Sequence, residues 1–298
     1  MMGQRARVTS TKRTTGALTT LACPTTTTLT DSDEGFLTAG FKAGSLVNLA
    51  VTGGANGGQY TISSVTAGTI TITAASFNVE VAGTMLSSTL TTYMPTLITM
   101  TGSNNVFANV LLGNGDADVL SVGCLEIQGN RNAFINCQIY GASNATPAVT
   151  TGAFDLKLNG ASENTFEGCV IGGNTVAKNA ANGCIVYVAT CGQNHYINCT
   201  IYSSSTTVGH GAINLSGVNA LGGWEFFSGC RFVNWNANGL VWLTSALIGT
   251  KPASGYILID SCSLVGWTAW DSDGANNVIY IGNSSAIATG AGGIATTV

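Results

Sequence analysis

Phe134-Ile-Asn-Cys137-Gln-Ile139 returns as Phe166-Glu-Gly-Cys169-Val-Ile171, as Tyr196-Ile-Asn-Cys199-Thr-Ile201 and as Phe227-Ser-Gly-Cys230-Arg-Phe232. A looser copy, Ile259-Asp-Ser-Cys262-Ser-Leu264, closes the series, and Phe107-Ala-Asn-Val110-Leu-Leu112 opens it with Val in the cysteine's place. Successive cysteines lie 32, 30, 31 and 32 residues apart (169−137, 199−169, 230−199, 262−230). So regular a period is the mark of a repeat architecture.

A second apolar alternation accompanies each copy: Leu125-Glu-Ile127, Leu156-Lys-Leu158, Val186-Tyr-Val188, Ile213-Asn-Leu215, Val241-Trp-Leu243 and Ile279-Tyr-Ile281. Apolar residues two apart turn one strand face inward. Between the runs stand Gly129-Asn130, Asn159-Gly160, Gly192 to Asn194 and Gly222-Gly223, residue types that accept the positive φ of a tight corner. Short strands that turn at such corners and stack coil upon coil form a parallel β-helix, with equivalent residues about 4.8 Å apart. The Phe, Cys and Ile of the phrase then become three inward ladders.

The phrase resembles the coils of right-handed parallel β-helix proteins, a group that holds pectate-lyase-like enzymes and many bacteriophage tailspikes and virion proteins. The resemblance covers roughly residues 97 to 282; in that group the ladder position often carries Asn, and here it carries Cys. It implies an all-β chain and leaves the activity open.

Four segments are expected: a flexible basic arm (1–22), a small β module (23–96), the β-helix (97–282) and a C-terminal cap or tail (283–298). The arm holds Arg5, Arg7, Lys12 and Arg13, four of the chain's ten basic residues, in a stretch too polar to fold alone. In the module, Gly35-Phe36, Gly40-Phe41, Gly44 and Asn56-Gly-Gly-Gln-Tyr60-Thr-Ile resemble a small β-barrel or sandwich that recurs in bacteriophage virion proteins, with Ser45 where Asp is usual.

Charged residues make up only 8% of the chain against about 25% in ordinary domains, so the surface is one of hydroxyls and amides. A net charge of −4 gives no nucleic-acid footprint, and no apolar run is long enough to span a membrane. The nine cysteines are expected to be reduced, since a ladder aligns its Cβ vectors in parallel and that geometry disfavours bridging. Without a Cys-x-x-Cys pair or a partnered histidine, neither a metal nor a cofactor is expected.

Cleavage of a polysaccharide needs two carboxylates about 5–10 Å apart. The acids of the repeat do not fall into one column; Asp271 and Asp273 are the best pair, and Glu126 faces Lys157 as a cross-coil ion pair. His195 and His210 read as surface or turn residues. Between the apolar positions of the second run lie Tyr187, Trp242 and Tyr280, with Trp267 and Trp270 in a following loop. Exposed aromatics of this kind imply contact with a second copy of the chain or with sugar rings.

The sequence thus points to a bacteriophage virion protein, assembled in the host cytoplasm as a homotrimer. The first expectation is a capsid decoration or cement protein, bound to the major capsid protein through its basic arm. The alternative is a tailspike or tail fibre that binds, and in one version cleaves, host surface polysaccharide.

Overall fold

The computed structural model describes residues 6–9, 13–15, 18–33, 35–82, 84–93, 96–114, 123–141, 152–173, 176–179, 182–207, 209–216, 221–236, 239–240, 243–248, 254–271, 278–281, 285–287 and 294–296. The chain divides into two compact units, one formed by Met1–Ser10 with Pro95–Val298 and the other by Thr11–Met94.

The larger unit is a parallel β-helix. Each coil contributes one strand to each of three sheets; in the second coil these are Gly123–Ile127 in sheet 1, Ala133–Ile135 in sheet 2 and Gln138–Tyr140 in sheet 3. Sheets 1 and 2 each stack seven strands, all parallel. The register confirms the three ladders of the repeated phrase. Phe107, Phe134, Phe166, Tyr196 and Phe227 stack in sheet 2 with ring centroids 4.3–5.1 Å apart and nearly parallel planes. Leu112, Ile139, Ile171, Ile201, Phe232 and Leu264 form the matching row of sheet 3, all buried.

The corner between these ladders explains the phrase's central residues. The position before each cysteine is left-handed: Asn136 (φ 52), Gly168 (φ 60), Asn198 (φ 50), Gly229 (φ 62) and Ser261 (φ 51). Asn and Gly accept that conformation at least cost. They also alternate for space, since a Cβ at Gly168 would lie 2.6 Å from Asn136 Oδ1 and one at Gly229 2.4 Å from Asn198 Oδ1. Gly229→Ala is therefore expected to cost about 1–2 kcal/mol; an unchanged urea midpoint would show that the corner does not hold this conformation.

Beneath the corner each thiol reaches a carbonyl of the preceding coil: Cys137 Sγ donates to Phe107 O (3.4 Å), Cys169 to Phe134 O (3.2 Å), Cys199 to Phe166 O (3.3 Å), Cys230 to Tyr196 O (3.3 Å) and Cys262 to Phe227 O (3.4 Å). All nine cysteines are free and buried. At the opposite end of sheet 2 runs a ladder of amides. The backbone N–H groups of Asn105, Asn132 and Asn164 donate to Oδ1 of Asn132, Asn164 and Asn194, each at 2.9 Å. Asn194 Nδ2 then donates to Glu225 Oε1 at 2.9 Å, so a carboxyl group ends the amide row.

Two sequence expectations shift here. Ala6–Thr9 is not free: it pairs in parallel with Val110–Gly113 and forms the edge of sheet 3. The open edge of the first coil presents unpaired backbone groups, and a β-branched, polar segment satisfies them without contributing a core. The second shift concerns the loop expected to hold Trp267 and Trp270, where Trp267–Asp271 is the last strand of sheet 1.

The smaller unit is a five-stranded antiparallel sheet in the order Thr28–Thr30, Thr69–Ile72, Gly58–Val65, Leu46–Thr52, Leu86–Tyr93. Its core holds Leu21, Leu29, Phe36, Phe41, Val47, Leu49, Ile62, Ile70, Phe77 and Leu90. Asn56, one of the residues read as module-specific, fixes a turn by donating Nδ2 to Asn78 O (2.8 Å) and accepting from Asn78 N (2.6 Å). Residues expected in the arm belong to this unit: Thr14 bridges Thr91, Leu18 bridges Ser88, and Leu21 is fully buried.

Candidate functional site

Because the phrase fixes which residues of sheet 2 point inward, it also fixes which point outward. The outward columns read Thr165, His195, Phe226, Leu258 and Glu167, Ile197, Ser228, Asp260, with Trp224 opposite Tyr256 at the start of the strands. His195, Trp224, Phe226 and Leu258 are half-buried and Tyr256 is 49% exposed. The His195 ring meets Trp224 edge-on at 4.9 Å and Phe226 at 5.9 Å, and Trp224 meets Phe226 at 6.3 Å. Burial lowers the His195 pKa and so favours the neutral imidazole. The result is an uncharged aromatic platform across three coils, about 10 Å long at roughly 4.8 Å per step.

A cleft of about 230 Å³ adjoins the platform at the corner between sheets 1 and 2, lined by Ser162, Glu163, Thr190, Cys191, Gly192, Gln193, Gly222 and Gly223. It stays open because glycines line it: a Cβ at Gly222 would come within 2.3 Å of Thr190 Cγ2. Its rim is set by Glu163, whose carboxylate binds Arg131 Nε at 2.7 Å across one coil step. Cleft and platform together offer hydroxyls, an amide and flat apolar rings. Such surfaces bind carbohydrate, whose rings carry an apolar face and a hydroxylated edge.

The aromatics singled out from sequence lie elsewhere. Tyr187 faces inward and is fully buried; it pairs in register with Leu158 and Leu215, so the outward member of its strand is Val186. Its hydroxyl has an interior partner, Tyr196 Oη at 3.0 Å. Trp267 is also fully buried, donating Nε1 to His210 O at 3.1 Å, and Trp270 packs edge-on against Phe232. Tyr280 belongs to sheet 2, following Phe227 and Ile259 in register. Trp242 lies outside the described residues, as do Asp273, Arg5 and Lys12. Asp271 ends the last strand of sheet 1, opposite Ile248. Arg7 sits exposed on the edge strand of sheet 3, and Arg13 donates its backbone N–H to Thr92 Oγ1 in the small unit (2.8 Å).

Two further acids are committed to structure. Glu126 pairs with Lys157 at 2.6 Å, as the shared column implies. Asp155 is buried, bound by the Lys178 ammonium and by Gly141 N–H (2.5 Å). His210 is buried, contrary to its reading as a surface residue. Its Nδ1 lies 2.9 Å from Asn179 O, so Nε2 is left to accept from Ser203 Oγ at 2.6 Å. That is the contact an activated serine uses, yet both residues are sealed inside the coil. Among the described residues no group of three or more His, Cys, Asp or Glu is placed to hold a metal ion.

No family model matches the sequence, and no curated protein matches it. Among solved structures, the chain is similar to the tailspike protein gp49 from Pseudomonas phage LKA1 (10% identity, TM-score 0.25, covering 95% of this chain and 63% of that one). It is also similar to the Gp54 tailspike of Acinetobacter baumannii bacteriophage AP22, solved in complex with A. baumannii capsular saccharide (11%, 0.22, 95% and 64%). A third likeness is to the Pseudomonas phage phi297 tailspike gp61 (12%, 0.20, 92% and 62%). The chain spans less than two thirds of the length of each of these proteins.

Proposed function

We propose that this chain is a bacteriophage virion protein of the tailspike kind, which binds host surface polysaccharide on the outer face of sheet 2. The observation that carries the reading is the aromatic platform of His195, Trp224, Phe226 and Tyr256 beside the hydroxyl-lined cleft. The decoration reading has the chain bind the capsid through a free basic arm. With Ala6–Thr9 paired into sheet 3, and Thr14 and Leu18 bridged into the small unit, that arm loses its independence.

Binding without cleavage fits the acids best. On the platform side, Glu167 and Asp260 share a column but stand three coils apart, roughly 14 Å at about 4.8 Å per step, beyond the span of about 5–10 Å that glycoside hydrolysis uses. Assembly as a homotrimer belongs to the same reading. The surface for it is the outer row of sheet 3, Tyr140, Tyr202 and Val233, continued by Trp235, which is 43% exposed.

The test is titration of the full chain against a panel of purified bacterial capsular and O-antigen polysaccharides. Trp224→Ala with Tyr256→Ala is expected to weaken binding at least about thirtyfold at an unchanged melting curve, at about 1–3 kcal/mol per stacked ring by analogy with base stacking. Binding that survives the double variant would move the site off this face.

A further inference from the structure

Resting on that reading, we infer that the polysaccharide held on sheet 2 is an uncharged one, and that the face discriminates against uronic- or sialic-acid polymers. The charges around the platform decide this. Its third column carries Glu167, exposed, and Asp260, whose two oxygens accept from Ser228 Oγ (3.3 Å) and Ser261 Oγ (2.9 Å). Both are carboxylates, and they flank the aromatic rings on one side. On the other side stands Glu163 at the cleft.

Cations that could offset them are engaged or turned away. Arg131 at the cleft is bound by Glu163 through Nε at 2.7 Å and more weakly through Nη2 at 3.5 Å. Lys157 is held by Glu126, and Lys178 is buried against Asp155. Arg231 belongs to the outer row of sheet 3, in register with Thr200 and Ser263. His195, the one group within the platform that could carry a positive charge, has its charged form disfavoured by burial. A sugar carboxylate lying on Trp224 and Phe226 would therefore meet carboxylates on both sides, while the exposed cation of these coils, Arg231, lies around the corner in sheet 3. A neutral chain meets stacking surfaces and hydrogen-bond acceptors for its hydroxyls, which is the complementarity that sets specificity at such a face.

The experiment uses the same polysaccharide panel, sorted into neutral members and members carrying uronic or sialic acid, with the carboxyl-reduced form of each acidic member alongside. The full chain is expected to bind neutral members, with affinity changed less than twofold between low and high salt, and to bind a carboxyl-reduced polymer at least tenfold more tightly than its acidic parent. Glu167→Lys with Asp260→Lys should shift preference toward the acidic members by at least tenfold. An acidic member bound more tightly than its reduced form would overturn the charge selection and leave the polysaccharide reading standing. Binding to no member of either group would overturn both.

Discussion

Ile171→Asp is expected to leave no folded, soluble protein. Ile171 is fully buried, between Ile139 below and Ile201 above in the same ladder of sheet 3. A carboxylate there enters the buried apolar core, and an unpaired buried charge costs several kcal/mol even after its pKa rises. Losing the methyl groups adds a cavity cost of about 1–3 kcal/mol. Together these reach the whole stability of about 5–15 kcal/mol that an ordinary domain has. Cys169→Ser, two positions earlier, is the contrasting change: it keeps the donor to Phe134 O and should stay folded. Circular dichroism of the soluble fraction distinguishes them, and an Ile171→Asp protein that melts as the wild type would refute the register of the three sheets.

Glu225→Gln is expected to stabilise the protein at neutral to alkaline pH. Glu225 is fully buried at the end of the amide ladder, and burial pushes its pKa up from 4.5 to about 8, against the lowering effect of Asn194 and Tyr187. Tyr187, Tyr196 and Cys191 also face it, and burial raises each of them well above that range. Between pH 4.5 and 8 the folded chain therefore keeps a proton that the unfolded chain has lost. The stability this group contributes is full below its unfolded pKa and declines as pH rises through the window. At about 1.4 kcal/mol per unit, the loss approaches about 4 kcal/mol by pH 8. A glutamine still accepts the Asn194 amide through its oxygen and carries no proton to lose. Urea midpoints at pH 5, 7 and 9 should fall for the wild type and stay nearly level for Glu225→Gln; parallel slopes would place the titration elsewhere.

The ladders were legible in the sequence because a solenoid repeats its interior every coil. Phe, Cys and Ile recur where the same neighbour recurs, and Glu126 with Lys157 showed itself by the same alignment. What failed was register where a strand is apolar on both faces. In Ile185-Val-Tyr-Val188 alternation cannot choose a face, and Tyr187 turns inward because Tyr196, from another strand, meets its hydroxyl. Val241-Trp-Leu243 was misaligned for a similar reason: the strand of that coil is Leu243–Ile248, and it is Ile248 that stands opposite Ile213. The Trp267–Asp271 strand was hidden by its Trp and Ala residues, whose burial depends on partners such as His210 O.

The platform was open to discovery. The residue before each phrase aromatic must face outward if the aromatic faces inward, and those positions read Ala133, Thr165, His195 and Phe226. The free arm failed on different grounds. Disorder judged from composition ignores an unpaired sheet edge elsewhere in the chain, and Ala6–Thr9 occupies one.

A crystal structure of the full chain with a fragment of the polysaccharide it binds most tightly tests the central claim most directly. The account predicts sugar rings stacked on Trp224 and Tyr256, with hydroxyls directed to the cleft at Glu163 and Gln193. A saccharide seated on sheet 1 or sheet 3, or around Trp235, with the platform of sheet 2 bare, would contradict it.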